Sequence, residues 1–284
     1  MKTLHPILLL VSFFGAAIST AHAEPLFPQV PGMVSYTYRE EFKKDVPGTL
    51  DAIKALGITD IEFSNLFGKT ATELRQLLDE RGLSCSSFGV KFEDAMTKTD
   101  EVAADAKVLG AKYIRVAWVT GRQPFTPARA EQTAADFNQI GKRFREVHGL
   151  TFCYHNHGYE FVPHGDGTLF DYLMEHTNPE DVSFELDILW AFFPGADPAA
   201  LLEKYGNRFK LMHLKDLRKG VQGDFSGKTA IENDVALGTG QLNIPAVLRA
   251  ARKAGLAHYY IEDESPSIAI QVPQTMAYLR GLEL

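Results

Sequence analysis

Along the chain, short runs rich in Ile, Val, Phe and Tyr alternate with longer stretches whose apolar residues recur every three or four positions. The first kind reads as strands and the second as helices that bury one stripe. A recurring junction links them: an amphipathic stretch ends in glycine, and a strand-type run begins soon after. Gly57 precedes ITDIEF, Gly82 LSCSSFGV, Gly110 AKYIRVAWV, Gly149 LTFCYHNH and Gly255 LAHYYIED. Glycine there suits the left-handed residue that closes many helices. NPEDVSFELDI and YGNRFKLMHLKD keep the rhythm without that glycine, and MVSYTYRE opens the series, so eight strands are predicted.

Helices are expected over TLDAIKALG, ATELRQLLDERG, ARAEQTAADFNQIGKRFREVHG and IPAVLRAARKAG. Thr70 or Thr72, Thr126-Pro127 and Asn243-Ile244-Pro245 look like their starts. Eight alternations predict a (β/α)8 TIM barrel, a parallel sheet closed inside a ring of helices. An open doubly wound sheet is the runner-up, but no glycine-rich nucleotide fingerprint follows the first strand. GTG at 238–240 follows no predicted strand either. Val221 to Gly240 reads as one long loop after strand 7, of a length that usually serves function or moves.

The N-terminus changes the setting. Lys2, the apolar run Ile7 to Ile18 and Ala21-His22-Ala23 have the layout of a secretory signal peptide. The apolar run is too short to span a bilayer comfortably. Residues 1–23 are therefore expected to be a leader and residues 24–284 a single barrel domain, exported to the periplasm or secreted. No later segment is apolar enough to span a membrane. The chain has 29 Lys and Arg against 36 Asp and Glu, and no basic run. That excludes nucleic acid, because phosphate contacts need clustered cations. The expected partner is a small-molecule sugar or glycoside, and a homo-oligomer stays open. Cys85 and Cys153 fall on strands 3 and 5, roughly 9–10 Å apart across two strand steps. A disulfide needs a closer approach, so two free buried thiols are predicted.

Chemistry in such a barrel sits at the carboxyl ends of the strands. Strand 2 ends in Glu62, and strand 5 in His155 and His157 with Glu160 beyond. Strand 6 carries Glu185 and Asp187, strand 7 His213, Lys215 and Asp216, and strand 8 Glu262, Asp263 and Glu264. Alternation puts Glu185 on the side of Asp187, and Lys215 on that of His213. Converging carboxylates repel one another unless a cation joins them. Asp187, His213 and Glu262 make an oxygen-rich site with one nitrogen, suited to Mn²⁺, Mg²⁺, Co²⁺ or Zn²⁺. Plainer readings compete: a satisfied core histidine, an ion pair of Lys215 with Asp216, a pair of Glu62 with Arg115. Asp263 and Glu264 read as solvated loop acids.

With these residues in place, the sequence resembles the xylose isomerase-like TIM barrels, in the sugar phosphate isomerase/epimerase branch. The stretches that carry the likeness are FNQIGKRFREVHGLTFCYHNHGYEF, FELDILWAFFPGADPAALLEKYGNRFKLMHLKD and VALGTGQLNIPAVLRAARKAGLAHYYIEDE. The resemblance implies one divalent cation, Mn²⁺ first, held by two Glu, one Asp and one His. Asp187, His213 and Glu262 take three of those places. Glu160 takes the fourth, with His155 or His157 as a nitrogen substitute. Strand 3 departs from the pattern, with Ser86-Ser87-Phe88 where many relatives carry histidine.

The implied activity is a metal-dependent sugar isomerase or epimerase that moves an α-proton through an enediolate on a keto-sugar or aldose. Glu160 and Glu262 form the expected acid/base pair, assisted by His157 or His155. Lys215 faces a developing oxyanion, Trp190 and Trp118 wall the sugar, and Glu62 lies on the substrate side. The rival is a lyase or hydratase that expels the C1 group of a 3-keto-glycoside by β-elimination, which suits an exported protein. A third reading, further behind, is a non-catalytic sugar-binding protein. An endonuclease on this barrel fails on charge.

Overall fold

The computed structural model describes residues 30–119, 121 and 124–282. The expected leader and its cleavage site lie outside these residues. Eight parallel strands close into a barrel: β1 (Gly32–Val34), β2 (Asp60–Phe63), β3 (Ser84–Val90), β4 (Tyr113–Val116), β5 (Thr151–His155), β6 (Val182–Asp187), β7 (Phe209–Leu214) and β8 (His258–Ile261). Met33 of β1 pairs with Ile261 on one side and Ile61 on the other, which closes the ring. The register sets His155 beside Glu185, and Asp187 beside His213.

Helices α1 (Val46–Ala55), α2 (Ala71–Asp79), α3 (Thr99–Leu109), α4 (Pro127–Arg143), α5 (Leu169–His176), α6 (Pro198–Tyr205), α7 (Ile244–Lys253) and α8 (Ile268–Arg280) surround it, with shorter turns between. The expected starts hold. Thr70 and Glu73 form a reciprocal capping box on α2. The Thr126 side chain caps α4 ahead of Pro127, and Asn243 caps α7. Gly110 closes α3 at φ 84°, a left-handed conformation that glycine enters without steric cost.

Apolar residues fill the layer between sheet and helices, where Phe152, Tyr154, Phe184, Leu186, Met212 and Leu214 are fully buried. A separate small cluster of Val34, Cys153, Leu211 and Tyr260 occupies the barrel interior. Cys85 belongs to the outer layer and Cys153 to this inner cluster, and both thiols are free and buried. The first strand is shorter than expected. It stops at Val34, because Ser35 turns to accept the Ser64 N–H at 2.8 Å. The chain then coils through Ser35–Tyr38 and Arg39–Phe42, which buries Phe42. Among the described residues no helix is long and apolar enough to cross a membrane.

Candidate metal centre and active site

At the carboxyl end of the barrel, Asp187, His213 and Glu262 converge as a possible ligand group. His213 Nδ1 lies 3.0 Å from Glu262 Oε2 and 3.8 Å from Asp187 Oδ2. His155 Nε2 approaches Asp187 Oδ2 at 3.9 Å. Both imidazoles turn their other nitrogen down the barrel. His155 Nδ1 lies 3.0 Å, and His213 Nε2 3.1 Å, from the same Glu185 Oε2. His213 Nε2 also lies 2.8 Å from Glu62 Oε1, which Arg115 Nε holds at 3.0 Å. Ser87 donates to the second Glu62 oxygen at 2.5 Å. The site thus has an upper tier of Asp187, Glu262 and two ring nitrogens, and a lower tier of Glu185, Glu62 and Arg115.

The electrostatics match that division. Burial favours a neutral Glu62, but Arg115 and His213 prevail and lower it to about 2. Burial, then the carboxylate of Glu62, raises Glu185 to about 7. Burial raises Asp187 to about 8, against the pull of Lys215. Burial pulls His213 down, yet Glu185, Glu262 and Glu62 lift it well above the ordinary histidine value. Asp187 Oδ1 accepts the Trp190 N–H at 2.8 Å and caps the short helix Ile188–Phe192. Its Oδ2 is buried with no hydrogen-bond partner. An orphaned carboxylate oxygen facing two imidazoles and a second carboxylate fits a divalent cation.

The YHNHGYEF stretch splits its tasks. His155 faces the upper tier. Asn156 clamps β5 to β6: its Oδ1 accepts the Asp187 N–H at 3.0 Å and its Nδ2 donates to the Asp187 carbonyl at 3.2 Å. The His157 ring lies edge-on to Trp118, at 5.2 Å between centroids, and stacks near Trp190 at 5.9 Å. Its Nδ1 is buried without a partner, and burial, then the charge of Lys215, lowers it to about 3. It is a neutral imidazole with an accepting nitrogen.

Glu160 is not brought to Asp187, His213 and Glu262. The turn Tyr159–Phe161 folds it back, where it accepts the Tyr154 hydroxyl and the His157 N–H. Tyr154 packs in the outer layer, so Glu160 is buried behind the strand rather than at its mouth. The strand-5 side chain that does reach the cluster is His155.

Lys215 is buried, with Nζ 2.5 Å from Glu264, 3.5 Å from Glu262 and 3.6 Å from Asp234. It also lies 5.3 Å from the Trp190 ring centroid. Burial opposes its charge, but Asp234, Glu262 and Glu264 outweigh that and raise its pKa well above the ordinary lysine value. Asp216 is not its partner. That carboxylate accepts backbone N–H groups from Leu217, Gly238, Gly240 and Leu242, which gives the GTG stretch its purpose as a clamp on the long loop. Asp263 is not a solvated acid: it is buried and accepts the Ser265 N–H. Glu264 is spent on Lys215.

His155, His157, His213, Glu262 and Glu264 line a cavity of about 560 Å³, walled further by Trp118 and Trp190 and by Gly227, Lys228, Thr229, Ile231 and Asp234 of the loop; Lys215 does not line it. Glu62 lies under its floor and is fully buried. Sequence reading missed Asn156 and Asp234. Strand alternation points Asn156 away from its histidine neighbours, and Asp234 enters from a loop with no periodic signal.

The model of the xylose isomerase-like TIM barrel family matches residues 50–282, and the chain belongs to that family. A curated relative named inosose dehydratase, from Geobacillus kaustophilus, is 28% identical over 207 residues, which cover 62% of this chain and 67% of that one. A solved structure named a sugar phosphate isomerase/epimerase, from Parabacteroides distasonis, superposes with a TM-score of 0.70 at 25% identity, over 93% of this chain and 96% of that one. A zinc-bound IolI protein shares the fold, with a TM-score of 0.69 at 15% identity, over 88% of this chain and 95% of that one.

Proposed function

We propose that this chain removes the α-proton of a cyclic keto-sugar and expels the group β to the carbonyl, as a metal-dependent lyase or dehydratase. The observation that carries this is the convergence of Asp187, His213 and Glu262 around the orphaned Asp187 Oδ2, at a cavity lined by His155, His157, His213 and Glu262. Relatives named inosose dehydratase support elimination over simple isomerisation. His155, Asp187, His213 and Glu262 would hold the cation. When bound, the cation withdraws charge from a carbonyl and its neighbouring hydroxyl and so acidifies the carbon between them. Mn²⁺ suits this mixed oxygen and nitrogen set, with Zn²⁺, Co²⁺ and Mg²⁺ as competitors.

The chain's own groups then divide the work. Burial disfavours the charge of Glu262, but Lys215 and His213 lower its pKa well below the ordinary value and keep it ionised. Its place in the cavity wall beside His213 makes it the carboxylate to accept the α-proton. Lys215 does not line the cavity; it stays cationic beside Trp190 and acts from behind the wall, where its charge keeps Glu262 ionised. Neutral His157 offers one N–H and one lone pair, enough to hold a hydroxyl and to pass a proton to the departing oxygen. Trp118 and Trp190 shield these transfers from water.

Isomerase or epimerase chemistry is the second reading, favoured by the likeness to the Parabacteroides protein. It shares the first step and differs in where the proton returns. Export under the leader of residues 1–23 belongs to the proposal and favours free sugars or glycosides over phosphorylated ones. The test is incubation of Mn²⁺-loaded protein in D₂O with free ketoses and 3-keto-glycosides, followed by NMR. Release of the C1 group or of water supports the lyase. Deuterium next to an intact carbonyl, with the leaving group retained, supports the isomerase. No exchange in any substrate with metal bound refutes both and leaves a binding protein.

A further inference from the structure

Beside the main cavity lies a second one of about 460 Å³, and the two share Tyr36 and Asn65. Both volumes fall within the range of about 300–1,000 Å³ that holds small molecules. The second is lined further by Arg39, Glu40, Lys43 and Phe67.

The junction is built rather than incidental. Tyr36 is 40% exposed, a large aromatic left open at the barrel mouth. Arg39 backs its ring at 4.6 Å and donates to the Tyr36 carbonyl at 3.1 Å. The same guanidinium donates to the Glu264 carbonyl at 3.3 Å, which fixes the platform to the segment just beyond β8 that carries Glu262. A guanidinium on one face leaves the other face of the ring as a flat apolar surface. On the other side, Asn65 Oδ1 accepts the Phe67 N–H at 2.7 Å. With its oxygen engaged, the amide has its NH₂ to offer at the junction. Phe67 is held at φ 48°, the only positive φ outside glycine among the described residues. Backbone strain of this kind persists where the surroundings enforce it, and it gathers at functional sites. Here it shapes the Ser64–Gly68 turn that separates the two cavities.

We infer that the substrate extends past the reacting ring, so that a second ring on a glycosidic oxygen packs on Tyr36, takes the Asn65 amide and reaches Lys43 and Glu40, which pair at 2.7 Å. This rests on the proposed keto-sugar chemistry for the ring in the main cavity. It selects a two-ring keto-glycoside over a free keto-sugar. The C1 oxygen that joins the rings is then the leaving group. The C2 proton goes to Glu262, the electron pair forms the C1–C2 double bond, the C1–O bond breaks, and the departing oxygen takes a proton.

The experiment is calorimetric titration of Mn²⁺-loaded protein with the methyl glycoside of a 3-keto-hexose and with the matching 3-keto-disaccharide. The expected result is that the disaccharide binds at least about tenfold more tightly, worth one aromatic platform. Tyr36→Ala and Lys43→Ala, each checked for folding by circular dichroism, are expected to erase most of that ratio. Equal binding of both ligands to the wild type, or a ratio unmoved in both variants, overturns the subsite and leaves the keto-sugar reading standing. Binding of neither ligand overturns both.

Discussion

The carboxylate of Glu160 grips the backbone N–H of His157, with Oε1 at 3.0 Å and Oε2 at 3.1 Å. This contact sets the turn that aims the His157 ring at Trp118 and Trp190, so Glu160 acts through position. Burial raises its pKa from 4.5 to about 8, so the folded chain retains a proton that the unfolded chain gives up. Stability therefore falls as pH rises from about 4.5 to about 8, and levels off above that. Glu160→Gln keeps the shape and removes the titration. It should match the wild type near pH 5 and exceed it by a few kcal/mol near pH 8, measured by urea unfolding at each pH. Its metal content should equal that of the wild type. Loss of metal in Glu160→Gln would instead make Glu160 a ligand.

Glu185 serves both histidines of the site from below. Its role is to fix which nitrogen of each ring faces upward. Glu185→Gln should weaken divalent-cation binding about 10- to 100-fold, the usual effect of losing a carboxylate behind a ligating histidine. Isothermal titration with Mn²⁺ and with Zn²⁺ checks this directly.

Asp187→Asn and His213→Ala remove two of the proposed ligands themselves. Each should leave the purified protein without stoichiometric metal by elemental analysis, and lower turnover by about a thousandfold or more. Chelation of the wild type should lower its melting temperature and abolish activity, and added Mn²⁺ should restore both. Full turnover in both variants would refute the metal assignment.

Gly223 lets the long loop pass close to the helix after β6. A Cβ there would lie 1.5 Å from the Phe193 carbonyl oxygen, so Gly223→Ala must push the loop away. The same loop brings Gly227 and Asp234 to the cavity wall. The variant should raise KM severalfold and cost about 1–3 kcal/mol of stability, as overpacking does. Steady-state kinetics and thermal unfolding read the two effects separately.

The sequence by itself determined the barrel. The glycine-terminated helices, the eight apolar runs and the caps at Thr70, Thr126 and Asn243 are local features, set by periodicity and backbone conformation, and they survive in the structure. It also determined which strand ends carry acids and histidines, because alternation is local too. Tertiary structure decided what those residues meet. Glu160 and His155 lie five positions apart in one motif, yet the turn at Tyr159 buries one behind the strand and leaves the other at the mouth. Nothing in the local pattern marks that turn. Asp216 reads as a partner for its neighbour Lys215, but the returning chain at Gly238 and Gly240 takes it. Asp234 reaches Lys215 only because that same clamp holds the loop across the barrel. Such pairings are long-range: they follow from where the closed sheet and its loops place side chains, which no window along the chain contains.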